Sequence, residues 1–256
     1  MSLTSIFTAA VLPIILIGTA GYVLGLSKSI EVDALNTAAM YVLVPALIFH
    51  STVTTSLSGE IMLKVVVGVV IFTIVMIVAV DRVWHLAGTT EPLLSASVLM
   101  ISFPNSGNFS LPLVEFAYGA TGRTTAVIFL VAQTALVFTV GVYLAARSGG
   151  VGGTDGMVEI FKLPFVYALA LAGLLRYYNA VPPADNPFMA ATEMVGEAAI
   201  PILLLLLGIQ LVDIDFKAAR RMVGIGSLVK LLVAPLVGFG IVLILGLGDT
   251  TVGQIF

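Results

Sequence analysis

The stretch best equipped for chemistry is 101–112, ISFPNSGNFSLP, which sets two prolines, one glycine, two asparagines and three serines inside an apolar run from Leu93 to Tyr118. Pro104 lacks a backbone N–H and disfavours helical geometry at Phe103, and Gly107 tolerates backbone angles that other residues resist. The chain is therefore expected to unwind over 104–108. In hydrocarbon an unsatisfied peptide group is costly, so irregular backbone is tolerated only beside a cavity or packed protein. The break leaves a half-helix C-terminus near Phe103 and a half-helix N-terminus near Asn108, whose free amides and positive dipole end suit an anionic group. Pro104, Asn105, Ser106, Gly107 and Asn108 are the candidate ligand-binding residues, the asparagines adding directed hydrogen bonds. The alternative is a plain kink satisfied by neighbouring helices.

Other polar residues inside apolar runs extend the candidate site. Lys230 lies beyond Arg221 by about 13 Å of helix at 1.5 Å per residue. A charge at that depth is functional by default and would attract an anion, unless its stem snorkels to the surface. Gln133 and Thr134 either face the break or bond to a neighbouring helix. Glu193 and Glu197 stand one turn apart, and their depth favours interfacial solvation over an ion pair with Lys230. His50 and His85 have no partners at metal-ligand spacing and are expected at the ends of spans.

The elements that carry these residues follow from composition. Of 256 residues, 59% are hydrophobic and 10% charged, with a mean hydropathy of +1.15; an ordinary soluble domain carries roughly 25% charged residues. The fold class expected is an all-α integral membrane protein in a lipid bilayer, with eight transmembrane helices. They are read at about Ser5–Leu26, Ala34–Val53, Ile61–Val80, Leu93–Tyr118, Thr124–Ala146, Val158–Tyr178, Phe188–Val212 and Met222–Leu247. The first is too long for a signal peptide and is read as retained. The glycine-rich SGGVGGTDG at 148–156 is the expected linker between halves, separating 1–147 from 157–256.

Prolines support that division. Pro13 and Pro45, in the first two helices of the first half, are matched by Pro164 and Pro201 in the second, 151 and 156 residues later. Five helices per half is an odd number, so the two halves would be inverted repeats, a common transporter plan. The same offset carries Pro104 to roughly 255–260, where the sequence stops, so the last two of ten helices are expected to lie outside it. Lys28, Arg82, Arg147, Lys162, Lys217, Arg220 and Arg221 share one side, against Lys64, Arg123 and Arg176 on the other. The positive-inside rule then puts the N-terminus outside, in a multi-pass plasma-membrane protein.

The segment FPNSGNFSLPL, together with YVLVPALIFHS at 41–51 and AAIPILLLLLGIQL at 198–211, resembles the auxin efflux carrier family, which includes plant PIN proteins and prokaryotic carboxylate permeases. The likeness spans essentially the whole chain. It implies ten helices in a 5+5 inverted repeat, with broken helices four and nine crossing at the substrate site. It implies a scaffold of helices one, two, six and seven and a moving transport unit of helices three to five and eight onward. It implies transport of small organic anions such as malate, malonate or indole acetate, and a homodimer formed through the scaffold.

Other classes fit less well. A net charge of −3 with no basic face argues against nucleic-acid binding, and the absence of cysteine excludes disulfides and thiolate metal sites. No cofactor is expected. No GxxxxGK[ST] motif is present, so ATP hydrolysis would need a partner. A carrier of the bile-acid/sodium symporter type shares the general fold but would want more acidic or amide ligands. A channel is separated from a carrier by saturation of flux. An intramembrane enzyme would need paired aspartates, a serine with histidine, or histidines in metal geometry, so the chain is read as no enzyme.

Overall fold

A computed structural model describes residues 7–86, 91–147, 161–213 and 220–255. Those residues form α-helices joined by turns, without a strand among them. Six helical stretches among the described residues are long and apolar enough to cross a membrane, which bears out the all-α membrane class but not the count of eight: Ala96–Leu144 is one continuous stretch, and Pro164–Tyr177 is shorter. The expected linker at 148–156 lies outside the described residues, as does Lys217.

The first span enters through a π-helical turn, Phe7–Val11, and continues as α1, Leu12–Ser27. The second comprises α2, Val32–Ala38, a π-helical turn at Ala39–Leu43, and α3, Val44–Thr54. Next come α4, Gly59–Leu86, and α5, Glu91–Ser102. After a break and a π-helical turn at Ser106–Ser110, α6 runs Leu111–Leu136, and α7, Val142–Arg147, follows. Beyond the undescribed 148–160 come α8, Pro164–Tyr177, α9, Pro187–Glu197, α10, Ala199–Gln210, α11, Arg220–Ile244, and α12, Thr251–Ile255.

Three of the paired prolines do not interrupt regular helix. Pro13, Pro45 and Pro164 stand in the first turn of α1, α3 and α8. There the missing N–H is no loss and the fixed φ suits helix initiation. The π-helical turns ahead of α1 and α3 absorb the strain that an interior proline would impose.

Helix four and helix five of the sequence reading meet at a corner inside α6. Gly119 adopts φ 61 and ψ −143 there, a backbone conformation open to glycine and strained for other residues. The link expected between the two spans is thus a single turn of chain. Glu115 and Arg123 form an ion pair across it.

Packing falls into two groups. In the first, α1 lies along α10, and α3 packs against α8 and α9. A core of Leu47, Ile48, Leu203, Leu204 and Leu206 fills this group. Backbones touch where α1 meets α10: a Cβ on Gly208 would collide with the Gly18 carbonyl and sit 2.8 Å from the Tyr22 nitrogen. Small residues permit such close approach between membrane helices. In the second group, α4 packs against α5, α6 and α11, around Val65 and Val69 on one level and Met76, Val80, Val98 and Ile101 on another. The loop 55–58 joins the groups. Its corner is held by Arg176 of α8, whose guanidinium donates to the carbonyls of Thr52, Thr55 and Leu57 at 2.9, 2.6 and 2.8 Å.

Candidate functional site

Helix α5 stops at Ser102, and Pro104 and Asn105 are non-helical. The stop follows from Pro104, which cannot donate to a carbonyl one turn back and pushes Phe103 out of helical geometry. Helix resumes at Ser106 because Asn105 caps it: the Asn105 Oδ1 accepts from the Asn108 N–H at 3.1 Å. The Asn105 carbonyl accepts from the Ser110 N–H at 3.2 Å and the Ser110 hydroxyl at 3.3 Å. An asparagine at this position stabilises a helix start by about 1 kcal/mol.

The opened backbone is therefore less bare than the sequence implied. The Pro104 carbonyl accepts twice, from the Ser106 N–H at 2.9 Å and from the Gln133 side-chain amide at 3.0 Å. Two groups beside the break stay without partners: the Ser102 hydroxyl and the Gln133 Oε1, both shielded from solvent. The turn Ser106–Ser110 rests against α6 on one side and α10 on the other, so the break stands where the two packing groups meet.

One face of the break opens on a cavity of about 520 Å³. Pro104, Ser106 and Ser110 line it from the break, Thr125 from α6, Lys230 from α11 and Gln254 from α12. Apolar walls come from Phe72 and Phe129. The half-buried Lys230 makes no ion pair or hydrogen bond among the described residues. A half-buried ammonium facing a largely apolar cavity is costly unless something negative joins it. Arg123 and Glu115, by contrast, pair with each other through Nη2 and Oε1.

Three of the candidate residues, Pro104, Ser106 and Lys230, thus meet at one cavity, and Gln133 reaches it through the Pro104 carbonyl. Asn105 and Asn108 lie on the same turn but outside the lining, Asn105 exposed and Asn108 half-buried. At Gly107 a Cβ would meet only Leu130 Cδ1, at 3.6 Å, so that glycine is not needed for space. Glu193 and Glu197 are exposed, in keeping with interfacial solvation. His50 closes the last turn of α3 and His85 nears the end of α4. No group of three or more His, Cys, Asp or Glu suited to a metal occurs among the described residues.

Sequence reasoning missed Ser110, Thr125, Gln254 and the Glu115–Arg123 pair. Two signals were available. Thr125, Phe129 and Gln133 recur at four-residue spacing and so share one face of α6. Glu115 is a carboxylate inside an apolar run, which marks it for attention by itself.

Comparison with known proteins agrees with this architecture. A family described as "Membrane transport protein" matches residues 6–152 and 154–256. A similar relative, named "Uncharacterized transporter", comes from Methanothermobacter thermautotrophicus. It is 26% identical over 243 residues, an alignment that covers 91% of this chain and 76% of the relative.

Proposed function

The chain belongs to the membrane transport protein family, that of the auxin efflux carriers its motifs resemble, and from that premise we propose that it carries small organic anions by alternating access at the break. The observation that carries this reading is Lys230, which lines the same cavity as Ser106 and Ser110 and has no partner among the described residues. A carboxylate in that cavity neutralises the lysine and takes hydrogen bonds from the hydroxyls. The substrate class is thus short organic acids of the malate, malonate or indole acetate kind. Pro104, Asn105, Ser106, Gly107 and Asn108 shape the seat, and Gln133 braces it.

Movement in this proposal divides the molecule along its packing. The scaffold comprises α1, α2, α3, α8, α9 and α10, and the transport unit α4, α5, α6, α7, α11 and α12. Support comes from the clusters around Val65 and Met76, which lie apart from the one around Leu203, and from the position of the break, where α6 adds Leu111, Ala126 and Val127 to that third cluster. Rocking one unit against the other would expose the cavity to each side in turn, a mechanism that suits inverted repeats. The proposed orientation has the N-terminus outside in the plasma membrane, supported by the side bias of Lys and Arg. The protein carries out no covalent step.

The test is uptake of radiolabelled malonate, malate and indole acetate into proteoliposomes, with and without a pH gradient. Saturable uptake of at least one acid, with a KM raised about tenfold or more in Lys230→Met, supports the reading. Absence of uptake for every acid, or a flux linear in concentration as a channel gives, overturns it.

A further inference from the structure

A second polar cavity, of about 260 Å³, lies away from the break, where the end of α3, the chain just past the Gly119 corner and the middle of α9 meet. His50, Ser51, Thr54, Arg123 and Glu193 are among its lining residues. Ser51 is only 3% exposed. Its hydroxyl, the His50 Nδ1 and the Arg123 Nε are all shielded from solvent and without a hydrogen-bond partner among the described residues. Buried polar groups are almost always paired, and each orphan destabilises the fold. Three of them around one small cavity are therefore a sign of something that binds there.

The orphans define its chemistry. An arginine Nε–H only donates, a hydroxyl donates, and an imidazole donates from Nδ1 in one of its tautomers. Donors at three points call for a ligand with several accepting oxygens. Glu115 holds Arg123 through Nη2 and leaves the Nε edge free; the second oxygen of Glu115 is also without a partner among the described residues, but Glu115 does not line the cavity. Glu193, the other acid at the cavity, is exposed, where water screens its charge. The volume sets the size, since sites for drug-sized ligands run to about 300–1,000 Å³.

We propose that this cavity is a second carboxylate site, in which Ser51, His50 and Arg123 seat one carboxylate of a short organic acid. The Thr124 hydroxyl donates to the Ser51 carbonyl at 3.3 Å, so α3 and the start of the post-corner helix already touch at the floor. A ligand there ties the two packing groups together at the end of the bundle. The site stands on its own orphaned donors and does not require transport through the break.

The sequence contains no cysteine, so single cysteines report single places. Thr54→Cys reports the second cavity, and Ala234→Cys, which lines the cavity at the break, reports the first. Labelling by a maleimide is followed on purified protein in detergent, with sodium malonate as the probe and sodium chloride at equal ionic strength as the control. Malonate at ten times its half-saturating concentration should slow labelling at position 54 about tenfold. Ser51→Ala and Arg123→Gln should each raise that half-saturating concentration about tenfold, without altering protection at position 234. Ser51→Ala leaves the Glu115 pairing intact and serves if Arg123→Gln does not fold. Labelling at position 54 that ignores malonate, equals the chloride control or responds identically in Ser51→Ala overturns the proposal. Protection at 54 without protection at 234 would count against the function proposed for the break and leave this site standing.

Discussion

The side-chain amide of Gln133 donates a 3.0 Å hydrogen bond to the carbonyl oxygen of Pro104, twenty-nine residues earlier in the chain. The bond ties the middle of α6 to the opened end of α5. Gln133 is 3% exposed, so water does not replace it easily.

Gln133→Leu removes that brace while the Ser106 N–H still occupies the Pro104 carbonyl. The expected cost is about 1 kcal/mol, since side-chain hydrogen bonds between membrane helices average less than that. Thermal melting in detergent should fall by a few degrees. Malonate uptake should drop about tenfold, because a small misplacement of a binding seat costs far more rate than stability. Unaltered uptake would mean that the brace has no part in transport.

At Asn105 two substitutions separate folding from function. Asn105→Ala loses the accepting oxygen and should destabilise by about 1 kcal/mol. Asn105→Asp keeps that oxygen and should melt near the wild-type temperature, yet it sets a negative charge next to Ser106. Carboxylate uptake should fall in both. Melting curves that diverge while uptake falls together are the expected pattern, and normal uptake by the aspartate variant would contradict it.

Lys230→Met deletes a half-buried charge that has no partner among the described residues. Stability should hold or rise, because the cost of desolvating the ammonium disappears. The KM for malonate should rise about tenfold or more, the loss expected for a charge-assisted contact. Lys230→Arg should retain part of the affinity. A KM unchanged in the methionine variant would remove the lysine from the binding site.

The contact between α1 and α10 predicts a different failure. Gly208→Val places a branched side chain against the Gly18 carbonyl and should cost about 3 kcal/mol or more by overpacking. Size-exclusion profiles in detergent should show aggregation or loss of the folded peak. Gly173→Val, at a glycine whose Cβ would meet nothing within 4 Å, is the control and should behave as wild type apart from a small change in helix propensity.

The break was readable from the sequence because its cause is local: a proline, its preceding residue and an asparagine cap act within one turn of chain. The membrane class was equally readable from composition. Thr125, Lys230 and Gln254 meet only through the packing of α6, α11 and α12, and no local pattern encodes that meeting. The same holds for Gln133, which looked as ready to bond a neighbouring helix as to serve the break and in the fold does both. Interior prolines misled in part: sequence shows where a helix is interrupted but not that a π-helical turn ahead of Pro13 or Pro45 restarts it smoothly. The corner at Gly119 lay inside a five-residue gap between two spans, too short to reveal whether it was loop or turn.

Arg176 satisfies three carbonyls around 52–57 from a position more than a hundred residues downstream. A chain emerging from the ribosome makes that corner long before it makes the arginine. Until α8 enters the bilayer, the oxygens of Thr52, Thr55 and Leu57 must be held by water or lipid headgroups. The corner at 52–57 therefore cannot complete its hydrogen bonding ahead of α8, and waits during synthesis on a single late side chain.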